Sequence, residues 1–438
     1  MKRKLALLLL AAVLCLWAVA CDRKSSAASA FLVAAAFIAA AGAFMQGDGT
    51  AELGSKSSAD KAPSPEALAV SDADLQRNLT PPHHLIIMTN GIVGSASDWK
   101  FAADQFKSRF GDEVLVHCSS RNAATLTFDG VDVMGHRLAE EVKEVVESLP
   151  GLARISFVTH SLGGLIARYA IGQLYNPPVS SDGSTTESFN GTILGLQPVN
   201  FITVATPHLG SRGNGQLPLL GGLNFLEKLA MSSAHWVVGR TGKHLFLTDG
   251  DESQAPLLQR MIEDCAEGKF FSALGSFQRR VAYANVNFDN MVGSRTATFR
   301  RESEIKDQEI KEEAVDKKYP HIVSIEYLPP ETSPVEKPDP DSAAEEMISG
   351  LRKVSWQRVD VSFSRSAQKL AAHSTIQRTW REDTAPASQR KSQAQSSDGT
   401  ESTIRLYFTG GRKGAWSKKF NSPNAISIMF QIIGTVQV

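Results

Sequence analysis

The sequence lacks the features that mark several classes of protein. Its 438 residues include only four cysteines, too few for a fold built on disulfides. Its 46 basic residues are balanced by 46 acidic ones, so it has no basic surplus of the kind that nucleic-acid-binding proteins carry. Hydrophobic residues make up 42% of the chain, which is enough for a large packed core. These properties are typical of a globular enzyme, built as one large domain with additional segments or as two domains.

The N-terminal residues 1–45 are predicted to be a signal peptide or a membrane-anchor segment. Three basic residues precede an apolar run, Leu5 to Ala20, which ends in an Ala-x-Ala site. A second and weaker apolar run extends from Phe31 to Met45. The first run is interpreted as a cleaved signal, as an uncleaved anchor, or as one half of a membrane hairpin. An alanine-rich leader for organellar targeting is the fourth alternative.

Composition divides the rest of the chain into a folded region and polar segments. Residues 46–82 are rich in Ser, Ala, Asp and Pro and are predicted to be a linker. Residues 83–377 are predicted to fold as one domain. Residues 378–423 are predicted to be a disordered tail, because residues 384–403 are dominated by Ser, Gln, Ala and Thr, and 424–438 contain a candidate final helix.

A charged block lies within the predicted domain. Residues 300–318 are mostly Arg, Lys, Glu and Asp, and several prolines follow them. Charge runs of this kind usually face water, so residues 300–318 are predicted to form a solvated insertion or surface helix, within a charged insertion at about 300–350.

Between His83 and Gln377, strand patterns alternate with helix patterns. A continuous apolar run at 84–88 is typical of a strand buried on both faces of a sheet, and strand patterns also occur at 113–117, 154–158, 201–205 and 280–286. Helical spacing of apolar residues occurs at 99–110, 130–149 and 162–175. The alternation predicts an α/β fold with a mostly parallel sheet and helices on both faces.

The third predicted strand leads into Thr159-His160-Ser161-Leu162-Gly163-Gly164, and a helix follows at once. A strand, a sharp turn with a serine at its tip and a helix are the parts of a nucleophile elbow. The turn strains the serine backbone, so nearby residues must be small, a need that Gly163 meets. The usual first glycine is Thr159 here, which predicts a looser turn or an adjusted neighbouring strand. We therefore predict that Ser161 is a nucleophile at the carboxyl end of the sheet.

A serine nucleophile needs a base, and the base needs an acid to orient it. In this fold class both follow the serine, with the acid first. Asp289 lies just after the fifth predicted strand, and His373 follows a strand-like segment at 359–363. Spacing alone leaves three alternatives open, which are Asp249, Asp251 and His321.

An ester-cleaving serine also needs donors for the oxyanion of the tetrahedral intermediate. The expected donors are the backbone N–H groups of Leu162, directly after the serine, and of Ile92, in the loop after the first strand. Gly91 allows that loop to approach the substrate closely. Substrate contacts are expected from Gly91, His160 and Gly163. Neither a metal ion nor an organic cofactor is required by this chemistry.

Seven longer motifs lie between about His83 and Gln377. They are Asn90–Trp99, Ala124–Asp132, His160–Tyr169, Ala205–Ser211, Gly239–Asp249, Arg279–Asn285 and Lys318–Val323. Together they resemble the putative serine esterase family of lipase-like α/β-hydrolases, most closely its plant and algal members.

The resemblance implies an α/β-hydrolase fold with Ser161 as nucleophile. It places the acid after the Tyr-Ala-Asn strand, which corresponds to Asp289, and the base in an Ala-His-x-Thr-Ile segment, which corresponds to His373. It also implies that His208 and His244 have structural or substrate-shaping roles. The sequence departs from the family pattern after Gln377, where a long polar insertion replaces a compact closing strand and helix.

We therefore predict a serine hydrolase that cleaves carboxylic esters, with lipid acyl esters as the expected substrates. Acyl transfer or thioester cleavage by the same residues is one alternative. A membrane-attached interaction protein on a hydrolase scaffold is another. Residues 1–24 hold five basic residues and one acidic residue, and 376–438 hold nine and four. This distribution predicts contact with a membrane surface and location at a membrane or in the secretory pathway. No oligomeric state is predicted.

Overall fold

The computed structural model describes residues 82–178, 191–211, 239–306, 315, 319–332, 338–366, 369–377, 432–434 and 436. The predicted leader, residues 1–45, and the predicted tail, residues 378–423, lie outside the described residues, as does the predicted linker up to residue 81. Of the candidate final helix, residues 432–434 are described and are helical.

A seven-stranded sheet forms the centre of the domain. Its strands are β1 (His84–Thr89), β2 (Val114–Cys118), β3 (Arg154–His160), β4 (Gln197–Val204), β5 (Arg279–Asn285), β6 (Ile322–Leu328) and β7 (Trp356–Val361). Their order across the sheet is β6-β7-β5-β4-β3-β1-β2. All neighbours are parallel except β6 and β7, which are antiparallel. Two short antiparallel pairs lie outside this sheet, Tyr175–Asn176 with Thr192–Ile193 and Asp264–Cys265 with Gly268–Lys269.

Helices follow most of the strands. They are α1 (Lys100–Phe110), α2 (Val131–Ser148), α3 (Leu162–Leu174), α4 (Leu257–Arg260), α5 (Phe270–Gly275), α6 (Ser294–Ala297), α7 (Glu302–Lys306), α8 (Ser342–Arg352) and α9 (Ala372–Thr375). Residues 239–245 are also helical. Among the described residues, no helix is both long enough and apolar enough to cross a membrane.

The sheet has an apolar cluster on each face. Leu85 and Ile87 of β1 pack with α2 and α3 on one face, whereas Ile86 and Met88 pack with Phe106 of α1 on the other. Successive side chains of a strand point to opposite faces, so burial of both faces requires the continuous apolar run seen in the sequence. The predicted α/β fold, with a mostly parallel sheet and helices on both faces, is confirmed.

The described part of the predicted charged insertion at about 300–350 includes elements of the central domain. This segment supplies β6 and α8, and the side chains of Arg300 and Arg301 are buried. Arg300 pairs with Asp360 of β7 at 2.8 Å, and Arg301 pairs with Glu331 at 3.0 Å. Both arginines lie beside carboxylates of neighbouring segments. Charged side chains can be buried when they are paired in this way.

Candidate active site

Ser161 occupies the turn between β3 and α3. Its backbone has φ 54° and ψ −129°, a conformation that residues other than glycine seldom adopt. Its N–H donates a hydrogen bond to the carbonyl oxygen of Val204 in β4 at 2.8 Å. The turn holds the Ser161 hydroxyl at the carboxyl end of the parallel strands, which is where ligands bind in sheets of this type.

Small and adaptable residues around Ser161 make this turn possible. A Cβ atom at Gly163 would lie 2.4 Å from the carbonyl oxygen of Thr89, so only glycine lets α3 approach β1 this closely. Thr159, in the position of the usual first glycine, is buried, and its hydroxyl donates to the carbonyl oxygen of Ile202 at 3.1 Å. The neighbouring strand β4 therefore accommodates the larger residue.

The structure brings Ser161, His373 and Asp289 together. His373 Nε2 lies 3.0 Å from Ser161 Oγ, and His373 Nδ1 lies 3.0 Å from Asp289 Oδ2. The carboxylate can only accept, so Nδ1 carries a proton and donates to it. In the neutral ring, Nε2 is then free of hydrogen and accepts the hydrogen bond of the Ser161 hydroxyl. This is the arrangement that a serine nucleophile, a base and an orienting acid require.

Asp289 is held in its ionised form. Its side chain is almost fully buried, and its carboxylate also accepts hydrogen bonds from Asn285 Nδ2 at 2.8 Å and from the N–H groups of Met291 at 3.0 Å and Val292 at 2.8 Å. Burial alone would raise the pKa of Asp289, but the hydrogen bonds, led by that from His373, lower this pKa below its ordinary value.

The alternatives that spacing left open have other contacts. His321 Nδ1 lies 3.0 Å from the carbonyl oxygen of Ser362, Asp249 accepts the N–H of Leu257 at 2.8 Å, and Asp251 accepts N–H groups in its own turn. Each of the three side chains therefore has hydrogen-bond partners other than Ser161 and His373.

His208 and His244 are both buried, and each has a hydrogen-bond partner within the domain. His208 Nε2 lies 3.0 Å from Thr203 Oγ1, and burial lowers the His208 pKa well below its ordinary value. His244 Nδ1 accepts the N–H of Val131, the first residue of α2, at 2.9 Å. These contacts agree with structural roles.

The two expected oxyanion donors belong to the helix that follows Ser161 and to the loop after β1. Leu162 is the first residue of α3, so its N–H has no acceptor within that helix. The loop after β1 passes close to the serine, because a Cβ atom at Gly91 would lie 2.8 Å from Ser161 Cβ. Ile92, whose N–H is the other expected donor, follows Gly91 in this loop.

Two residues that the sequence analysis did not identify hold the loop after β1. Asn90 Nδ2 donates to the carbonyl oxygen of Asn122 at 3.0 Å. The N–H of Val93 donates to Thr127 Oγ1 at 2.9 Å, and Val93 has a positive φ of 57°. The only available signal was that Asn90 and Thr127 both lie within the motifs that resemble the family.

His160 has a different contact from the one expected. The sequence predicts that His160 contacts substrate, and in the structure His160 is buried with its Nε2 2.8 Å from the carbonyl oxygen of His373. The two imidazole rings are 4.8 Å apart between centroids.

The described residues include no group of three or more His, Cys, Asp or Glu side chains arranged to hold a metal ion. Four large apolar side chains are between 37% and 62% exposed on loops that follow β1, β2 and β5, and these define the apolar rim: Val93, Leu126, Phe288 and Met291. The loops lie at the carboxyl ends of parallel strands, the same edge of the sheet as Ser161.

Comparison with known proteins gives matches over the same region. Residues 80–303 match the model of the family described as "Putative serine esterase (DUF676)". The chain is 27% identical over 218 residues to Putative lipase C4A8.10 of Schizosaccharomyces pombe, and 30% identical over 219 residues to Putative lipase ROG1 of Saccharomyces cerevisiae. The matches cover 48% and 49% of this chain but 25% and 28% of those proteins, so the chain spans about a quarter of their length.

Among solved structures, lipase BlEst2 of Bacillus licheniformis in its propeptide form is 16% identical and has a TM-score of 0.29. That match covers 48% of this chain and 36% of the other. The family match includes Ser161 and Asp289 but ends before His373, so the position of this histidine rests on the geometry described above.

Proposed function

This chain belongs to the putative serine esterase family of α/β-hydrolases, and on that premise we propose that it is a serine hydrolase that cleaves carboxylic esters. One observation carries the proposal. Ser161 Oγ, the His373 ring and the Asp289 carboxylate form a continuous line of two hydrogen bonds, each 3.0 Å long. All three side chains are buried, where such bonds are strong.

In the proposed mechanism, Ser161 Oγ attacks the acyl carbonyl while His373 Nε2 takes the hydroxyl proton. The ionised Asp289 stabilises the resulting imidazolium and fixes its orientation. The N–H groups of Leu162 and Ile92 stabilise the oxyanion of the tetrahedral intermediate. His373 then gives its proton to the leaving alcohol, and an acyl group remains on Ser161. His373 next removes a proton from water, whose attack releases the carboxylic acid and restores the serine.

The apolar rim supports a lipid acyl ester as the substrate. A long acyl chain needs apolar surface beside the nucleophile, and Val93, Leu126, Phe288 and Met291 offer it at the edge of the sheet where Ser161 lies. The two curated relatives are named putative lipases, which agrees with this substrate class. We also propose that the protein works at a membrane surface, to which the basic terminal segments would be attracted.

A fluorophosphonate probe, which reacts covalently with activated serines, tests the proposal. We expect the wild type to be labelled, Ser161→Ala not to be labelled, and the control Ser95→Ala to be labelled like the wild type. His373→Ala and Asp289→Asn should fold normally and lose about 10⁴-fold in kcat, as loss of a triad member does elsewhere. Absence of labelling in folded wild type would contradict the proposed function.

Esters of graded acyl length then define the substrate. We expect kcat/KM to rise with chain length, because a longer chain covers more of the apolar rim, at about 0.8 kcal/mol for each buried CH₂. A preference for acetyl esters over longer ones would contradict the lipid substrate but leave the esterase activity in place.

A further inference from the structure

His160 lies beside Ser161 in the chain but makes its contact with His373. It is the last residue of β3, and its buried Nε2 is 2.8 Å from the backbone carbonyl oxygen of His373, which lies 213 residues further along the chain. A carbonyl oxygen only accepts hydrogen bonds, so Nε2 must carry the proton and donate. The contact therefore specifies the tautomer of His160 as well as its orientation.

The segment that carries His373 has mostly local hydrogen bonds of its own. Its helix α9 has only four residues. The Ile376 N–H donates to Ala372, the Gln377 N–H to Ser374, and the Thr375 hydroxyl to Ala371. Such bonds set the shape of the segment, whereas Ala372 and Ile376 pack into the core and the bond from His160 joins the segment's backbone directly to β3.

The bond from His160 ends on the residue whose distance from Ser161 matters most. Ser161 follows His160 directly, so the nucleophile and the backbone of the base are joined through one side chain. His160 also lies near the loop after β1, since a Cβ atom at Gly91 would be 3.4 Å from its Nδ1. Its ring is thus close both to that loop and to the His373 ring, whose centroid is 4.8 Å away.

We propose that His160 is a positioning residue that holds His373 at hydrogen-bonding distance from Ser161, through donation from Nε2–H to the His373 carbonyl oxygen. This inference rests on the proposed esterase function. It gives His160 a role other than the expected contact with substrate, because His160 Nε2 is bonded to the protein backbone.

Two substitutions at this position separate donation from bulk. His160→Leu removes the donor and keeps an apolar side chain of similar size, whereas His160→Gln can place an N–H donor near the position of Nε2. A misplacement of about 1 Å can cost ~10²-fold in rate. We therefore expect kcat of His160→Leu to fall between 10- and 100-fold with KM within about twofold, and kcat of His160→Gln to stay within about fivefold of the wild type. His83→Leu, at an exposed position just before β1, is the matched control and should be unchanged.

Three kinetic results would overturn the inference. The first is an unchanged kcat in His160→Leu. The second is a raised KM with unchanged kcat in that variant, which indicates substrate binding. The third is an equal loss of kcat in folded His160→Leu and His160→Gln. The fluorophosphonate reaction of the wild type separates this inference from the proposed function. A labelled wild type with any of these results overturns the positioning role alone, and an unlabelled, folded wild type overturns both.

A measurement on the wild type covers the case in which a substitution prevents folding. In the full-length protein labelled with ¹⁵N-histidine, the nitrogen chemical shifts report which ring nitrogen of His160 carries the proton. We expect protonated Nε2 and bare Nδ1. A proton on Nδ1 with bare Nε2 overturns the inference, because the bond to the His373 carbonyl oxygen could not form.

Discussion

The close approach of α3 to β1 at Gly163 makes one substitution especially informative. In Gly163→Ala the new Cβ atom would lie 2.4 Å from the carbonyl oxygen of Thr89 and 2.7 Å from that of Asn90. Cβ atoms essentially never approach other atoms within 3.0 Å, so the helix and strand must separate by at least 0.6 Å at this point. Both neighbours are backbone atoms of a central strand, so the movement cannot be absorbed by the rotation of one side chain.

This separation would act on the proposed oxyanion donors. The first turn of α3 carries the N–H of Leu162, and the end of β1 leads into the loop that carries Ile92. A shift approaching 1 Å between catalytic groups can cost ~10²-fold, so we expect kcat to fall by about this factor. Overpacking of this kind costs about 1–3 kcal/mol of stability, and each kcal/mol lowers Tm by about 2–4 °C in a domain of this size.

The assay compares ester hydrolysis, the rate of fluorophosphonate labelling and thermal unfolding in Gly163→Ala and in Gly434→Ala. At Gly434 the nearest atom to an added Cβ would be 3.7 Å away, an ordinary contact, so this control should behave like the wild type. Wild-type kcat and labelling rate in a folded Gly163→Ala protein would refute the reasoning, since they would show that the contact between α3 and β1 can open without displacing the site.

Two further predictions concern buried charges. Asp360→Asn should destabilise the protein by about 1.5–3 kcal/mol, because it removes the charge that makes two hydrogen bonds with the buried Arg300 and leaves Glu326 as the acidic partner. Asp104→Asn breaks an exposed pair and should cost less than about 1 kcal/mol, and chemical denaturation measures both effects. Burial would raise the pKa of Glu141, but hydrogen bonds from the end of β2 and the loop after it lower this pKa from 4.5 to about 2. Glu141 therefore stabilises the fold by roughly 3 kcal/mol above pH 4.5, and this stability is lost as the pH falls towards 2. Chemical denaturation at several pH values measures this. Below pH 4.5 the free energy of unfolding should fall less steeply in Glu141→Gln than in Glu140→Gln, the control that removes the same charge from the exposed face of α2. Equal pH dependence in the two variants would show that Glu141 does not make this contribution.

Most strands and the long helices were predictable because their signals are local. The apolar run at 154–158 and the helical spacing at 130–149 correspond to β3 and to α2, with small differences at the ends. Strand β6 was missed because it lies at the edge of the sheet, where residues 324–328 alternate between partly buried and exposed, and because a charged block precedes it. The resemblance to the putative serine esterase family is confirmed by the match of residues 80–303.

The site could be predicted only in part from the residues themselves. The elbow around Ser161 is a contiguous motif, so its residues specify its shape directly. The acid and the base lie far along the chain, and loop length does not determine which carboxylate or imidazole reaches the serine. The resemblance identified Asp289 and His373, and the structure places both beside Ser161. Their catalytic roles remain predictions, which the substitutions His373→Ala and Asp289→Asn test.

The sequence by itself determined the features that depend on neighbouring residues. These are the alternation of strands and helices, the burial of both faces of the sheet, and a serine at a sharp turn between a strand and a helix. Tertiary structure alone decided which distant groups meet, including the bond of His160 to the backbone of His373 and the burial of Arg300 against Asp360. The physical reason is that hydrophobic periodicity and turn geometry act within a few residues, whereas these contacts depend on the order of strands in the sheet and on the paths of the loops between them.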